Sequence, residues 1–133
     1  MGMLDEIGQL LEDNGLGTQA TDLFLGDTPQ EAPDEVTTVV ETSGLPPLFA
    51  HDVVGFNIEQ PSFQIYNRAP RYDTARLNAE NVFIFLNKQV NVTLSGTFYP
   101  RIVAQQSPFS LDRDDNHRAQ IVCNYSVRKG LSP

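Results

Sequence analysis

Two hydrophobic periods alternate along the chain, one of three and four residues and one of two, and their boundaries predict the elements. Met3, Leu4, Ile7, Leu10 and Leu11 recur at helical spacing, and Gly15 and Gly17 follow where a helix should stop, so an opening amphipathic helix is expected over residues 1–17. Thr21–Leu25 and Val36–Thr42 read as strands, separated by the turn-rich Gly26-Asp27-Thr28-Pro29 and an acidic stretch with Pro33. Residues 43–57 read as a loop. Ser62–Tyr66 alternates as a half-buried strand that Pro70 ends, and a second helix starts near Tyr72 or Asp73. Its stripe is Tyr72, Ala75, Ala79, Val82, Phe83, Leu86 and Val90, with steps of three and four throughout. Strand-like runs follow at Val92–Ser95, Phe98–Gln105 and Gln120–Arg128, the first two joined by a tight turn at Gly96-Thr97, and residues 129–133 read as a tail. The expected fold is α+β: a single domain over residues 1–133, with a mixed or antiparallel sheet, an N-terminal helix and one long central helix packed on it.

Length and charge narrow the reading. A chain of 133 residues suits one core. It holds no apolar run of membrane-spanning length, and its start carries Asp5 and Glu6 where an export signal would be basic, so synthesis in a reducing cytosol without a membrane partner is expected. Cys123 is the one cysteine; it lies in the alternating run Ile121, Cys123, Tyr125, Val127 and should face the core as an inert thiol. Residues 1–60 contain twelve acids and no Lys or Arg, whereas residues 61–133 carry nine bases and five acids, so the halves are −12 and +4, which sum to −8. That polarity argues against nucleic-acid binding by the first half. Two uses of it stay open: the halves pair within one monomer, or they meet across a contact between copies.

No catalytic chemistry is legible. Asp112-Arg113-Asp114-Asp115-Asn116-His117 starts like a calcium loop, but His117 stands where the turn needs Gly and Cys123 where the last ligand should be Glu, so a solvated turn is expected. His51 and His117 lack a Ser, Cys or second His at nucleophile or zinc spacing. Gly15-Leu16-Gly17 follows a helix and lacks the rest of a dinucleotide fingerprint. The chain is therefore expected to be no enzyme, with neither cofactor nor metal.

Surface suited to partners is legible. Leu45, Pro46, Pro47, Leu48 and Phe49 place three large apolar side chains around a proline pair, a segment that either tucks onto its own core or docks on another chain. Ser107-Pro108-Phe109 is a weaker case of the same kind. At about 100° per residue, Leu77 and Ile84 lie nearly opposite the core stripe of the second helix. Either the opening helix covers them, or a neighbouring copy does, with Arg76 and Lys88 as a cationic flank and Arg71 as a further interface candidate.

Several of these segments resemble one family. The helix ending in Gly15-Leu16-Gly17, Asp22-Leu23-Phe24-Leu25-Gly26 with Pro29, Val40-Glu41-Thr42-Ser43-Gly44, Pro61-Ser62-Phe63-Gln64-Ile65, the helix with Tyr72, Ala75, Arg76 and Ala79, and above all Gln106-Ser107-Pro108-Phe109 with Arg113-Asp114 and Asn116 are similar to the minor capsid or tail terminator (tail completion) proteins of long-tailed bacteriophages. The resemblance spans roughly residues 3–128, through short motifs. It implies no enzymatic residue and a virion role at the head-tail junction: a ring, usually of six copies, that caps the completed tail tube and joins it to the head connector, with DNA passing through the lumen. The partners it implies are further copies of the chain, tail tube protein and the connector or a head-completion protein. A head-completion role is the near alternative, and a monomeric adaptor or inhibitor using the Leu45–Phe49 segment is the alternative from another class.

Overall fold

In the computed structural model, which describes residues 2–49 and 57–130, the elements run α1 (Met3–Asp13), β1 (Leu23–Leu25), β2 (Val36–Phe49), β3 (Asn57–Ala69), α2 (Tyr72–Asn87), β4 (Val90–Leu94), β5 (Thr97–Ala104), β6 (Phe109–Leu111) and β7 (Ala119–Gly130). The strands form one sheet in the order β1-β2-β3-β7-β5-β4, and β6 pairs with β7 beside the end of β5. β1 runs parallel to β2 and every other pair is antiparallel, so the sheet is mixed and the fold is α+β.

Period-two alternation sorts the sheet into two faces. Phe63, Ile65, Cys123, Tyr125 and Val127 point to the core, where α1 contributes Met3, Ile7 and Leu11 and α2 contributes Val82 and Leu86. Phe63 and Tyr125, partners in register, stack with ring centroids 5.2 Å apart. Further along, small residues let α2 sit close to the sheet: Ala75 and Ala79 pack on Ala69, Ala119 and Ile121. Cys123 is buried in this core, its thiol against the Gln106 carbonyl, and burial raises its pKa.

The expected stripe of α2 is right in its middle and wrong at its ends. Ala75, Ala79, Val82 and Leu86 are buried, but Tyr72 occupies the exposed first turn and Val90 belongs to β4, where it is also exposed.

The segment expected to be a loop is the larger correction. Residues 43–49 continue β2, and β3 begins at Asn57, so the two strands form a long hairpin arm. Two features admit the proline pair: β1 pairs only with Thr37–Val39, which leaves the outer edge of β2 open from Val40 onward among the described residues, and the register shift between Leu45 and Leu48 leaves neither proline a partner on β3. Partners run Thr42 to Ser62, Leu45 to Gln60 and Leu48 to Ile58, so each of two register shifts gives β2 one extra residue, the first at Ser43 and Gly44 and the second at Pro46 and Pro47. The first shift needs Gly44, since a Cβ there would collide with the Gln60 carbonyl and the Cα of Pro61. The side chains of residues 45–49, 57 and 58 and the whole of residues 50–56 lie outside the described residues, among them residue 51, the first histidine.

Smaller differences sit at the strand ends. β1 is three residues long, and Lys129 and Gly130, expected in the tail, complete β7. The tight turn between β4 and β5 is Ser95-Gly96, both at positive φ (50° and 85°), with Leu94 opposite Thr97; this is the twist-matched two-residue hairpin, one residue earlier than expected. β6 was not expected at all. β4 forms the far edge of the sheet, and its Asn91 has φ 52°, a left-handed kink between the paired residues Val90 and Val92.

Candidate functional site

The outer face of α2 is bare. Leu77 and Ile84 are 60% and 53% exposed, so the opening helix does not cover them, and that expectation is corrected. The reason is placement: α1 spends its apolar stripe on β1 and β2, where Met3, Ile7 and Leu11 join the core with Leu23 and Val39. Among the described residues nothing in the chain shields the two side chains.

The three cations expected at an interface behave differently. Arg76 folds back, its Nε 3.0 Å from Glu80 and its Nη1 donating to the Pro108 carbonyl at 2.8 Å. Arg71 stands 3.7 Å from Asp73 in a largely exposed pair of little energetic weight. Lys88 caps α2, with its side chain exposed. The Arg76 contact also explains Ser107-Pro108-Phe109: Pro108 is buried and ties this segment to α2, Ser107 is exposed, and Phe109 opens β6 with 38% of its surface exposed. Leu111, at the end of β6, is 45% exposed.

The Asp112–His117 segment is a turn organised by Asp114. Its Oδ1 accepts from the backbone N–H of Asn116 and of Arg118, and its Oδ2 lies 2.8 Å from the Arg118 guanidinium. Burial opposes ionisation of this carboxyl, but the donors of Arg118 and Asn116 outweigh it and hold the pKa below the ordinary value. Among the described residues no three His, Cys, Asp or Glu side chains gather as a metal site, and no helix is long and apolar enough to cross a membrane.

The charge polarity is not neutralised within the chain. Four ion pairs are present among the described residues, and Arg118–Asp34 alone joins the acidic half to the basic half. Arg68 is buried on backbone carbonyls of Pro33 and Asp34.

Sequence reasoning missed two features. One is Glu6, 1% exposed, whose Oε1 accepts from the Tyr99 hydroxyl at 3.1 Å while Oε2 has no partner. Its one signal is position, three residues after Met3 and one before Ile7, on the buried side of the helix. The other is the sheet face turned away from the helices. There Gln64 donates to Asn124 and Gln105 to Ser126, at 3.0 and 2.9 Å, and beyond this polar ladder a concavity of about 490 Å³ is lined by Ser62, Arg101, Val103 and Arg128 among others.

The model of the bacteriophage tail terminator protein family matches residues 10–129. In three dimensions the chain is similar to one from the virion of a native gene transfer agent particle, with a TM-score of 0.69 and 13% identity over 96% of this chain and 94% of that one. At such identity the likeness speaks for the fold. Among curated proteins none matches the sequence.

Proposed function

Since the chain belongs to the bacteriophage tail terminator protein family and is a structural protein of the virion tail, we propose that it works by forming a hexameric ring at the head-tail junction. The ring caps the finished tail tube on one side and meets the head connector on the other, and DNA passes through its lumen without being held. The subunit is made in the host cytoplasm and performs no catalysis. The single observation that carries ring formation is the bare pair Leu77 and Ile84, stacked two turns apart on a helix whose other side is fully occupied. Isolated exposed apolar residues are ordinary, but two aligned on one helix face, with polar Glu80 and Asn81 between them, give a neighbour two apolar points to cover.

The test is mass measurement and electron microscopy of the free protein at several concentrations, alone and with tail tube protein. Rings, free or seated on tube ends, are the expected result. A strictly monomeric species in both conditions would overturn the ring and favour a monomeric binding module.

A further inference from the structure

Arg101 of β5 and Arg128 of β7 are directly opposite each other in register and both are exposed. Like charges facing across neighbouring strands repel, and among the described residues neither has an acidic partner. They line the concavity on the helix-free face together with Ser62 and Ser126, whose hydroxyls lie near the Gln105 amide. Two forked guanidinium groups at one concave spot are matched to an oxyanion, and a carboxylate fits the fork bidentately.

The first sixty residues hold acids in excess with no cation of their own. Of the eleven described acids in this half, Asp34 alone has a cationic partner. Most of the others accept a hydrogen bond close by: Asp5 from Gly2, Asp13 from Gln9, Asp22 from Thr18, Glu35 from Asn78. Four are exposed with no hydrogen bond, Asp27, Glu31, Glu41 and Glu59, and of these Asp27 and Glu31 stand together on the connection between β1 and β2. That connection lies at the β1 end of the sheet, whereas Arg101 lies toward the β4 end. The paired arginines and these two carboxylates therefore stand toward opposite ends of the sheet, although Arg68 and Arg118 reach Pro33 and Asp34 on the same connection. Copies related by rotation in a ring bring unlike surfaces together, one end of each against the other end of the next.

We propose that Arg101 and Arg128 form a socket for a second copy of this chain, and that the carboxylates of its Asp27 and Glu31 enter it. The contact rests on the ring reading above and gives it direction: each copy offers a socket at one end and an acidic plug at the other. A DNA phosphate would satisfy the same guanidinium groups, but an isolated pair of arginines on a chain of net charge −8 gives little counterion release, whereas a copy of the chain supplies the missing acids in fixed number.

Charge reversal with complementation tests it, in the full-length chain with tail tube protein present. Arg101→Glu/Arg128→Glu and Asp27→Lys/Glu31→Lys, each alone, should melt like the wild type and lose ring assembly by about tenfold or more in the concentration required. An equimolar mixture should regain rings, because alternating copies then match at every contact, and a single chain carrying all four substitutions should do the same. Should a variant melt early, Arg101→Gln/Arg128→Gln is the milder replacement, with loss of assembly still expected. Undiminished assembly of the arginine variant, or no recovery in the mixture, overturns the socket and leaves the ring standing. A wild type that never forms rings overturns both. Normal rings of the arginine variant that bind a double-stranded DNA fragment more weakly than wild-type rings would overturn the subunit contact and assign the pair to DNA.

Discussion

The hydroxyl of Tyr99 reaches the buried carboxylate of Glu6 across 3.1 Å, and this one bond ties α1 to β5 through the core. The second carboxylate oxygen of Glu6 has no partner, so the first carries all of the compensation for burying the group.

Removing the donor should therefore cost more than removing both groups. Tyr99→Phe is expected to lose about 1.5–3 kcal/mol, the range for a hydrogen bond to a charged group. Adding Glu6→Leu to Tyr99→Phe should recover most of that loss, since apolar replacement of both partners leaves nothing stranded. Denaturant titration of the wild type, the single variants and the double variant measures the coupling. Additive losses would show that the bond does not connect the two residues energetically.

Alkaline pH should weaken the fold. Burial, followed by the charge and hydrogen bond of Glu6, pushes the Tyr99 phenol well above the ordinary value of 10.0. Burial, followed by the neighbouring Cys123, does the same to Tyr125. The folded state then holds protons that the unfolded chain releases near pH 10, so this contribution is intact below about pH 10 and is lost as pH rises above it. Denaturation curves at pH 8, 10 and 11 should show the decline. Tyr125→Phe, which keeps the stack on Phe63 and removes a buried hydroxyl whose polar neighbour is the weakly bonding Cys123 thiol, should be near neutral at pH 7 and make the decline shallower.

Ile84→Lys should leave the monomer intact. The residue is 53% exposed, so the change in stability is expected within about 0.5 kcal/mol. Assembly should fail, because a charge would be buried wherever a neighbour covers the pair. Unfolding of the variant would show that the face is internal, and normal rings would show that it is simply exposed.

Gly44→Ala should loosen the hairpin arm. The added methyl meets backbone atoms of Gln60 and Pro61, and such overpacking costs about 1–3 kcal/mol. Amide exchange should accelerate at Thr42 and Gln60 and stay unchanged at Cys123 in the middle of β7. Equal acceleration at both places would mean that the arm and the sheet open as one unit.

Much of this architecture was legible where a single periodicity governs a segment. The steps Ala75, Ala79, Val82, Leu86 identified α2 and its buried side, and the alternation through Cys123 and Tyr125 identified β7. Legibility failed where a segment's structure is decided by its neighbours. Pro46 and Pro47 suggest a loop to any local reading, and they sit in a strand because the outer edge of β2 asks for no donor and the register shift leaves them unpaired on the inner edge. β6 is three residues long with every side chain exposed, so it has no periodicity to read. The exposed pair Leu77 and Ile84 could be found from angular spacing, but whether α1 covered it depended on packing. Glu6 was hidden by its charge, and the Arg101–Arg128 pair joins residues on different strands that only register brings together.

The kink at Asn91 governs how one chain can add to another edge to edge. An edge strand normally presents a straight row of open donors and acceptors on which any extended chain can grow. In β4 a left-handed residue interrupts that row after one position, and polar Asn91 and Thr93 are exposed along it. The edge is a poor seed for fibrils or disordered stacking, so growth strand by strand is disfavoured on the β4 side of the sheet.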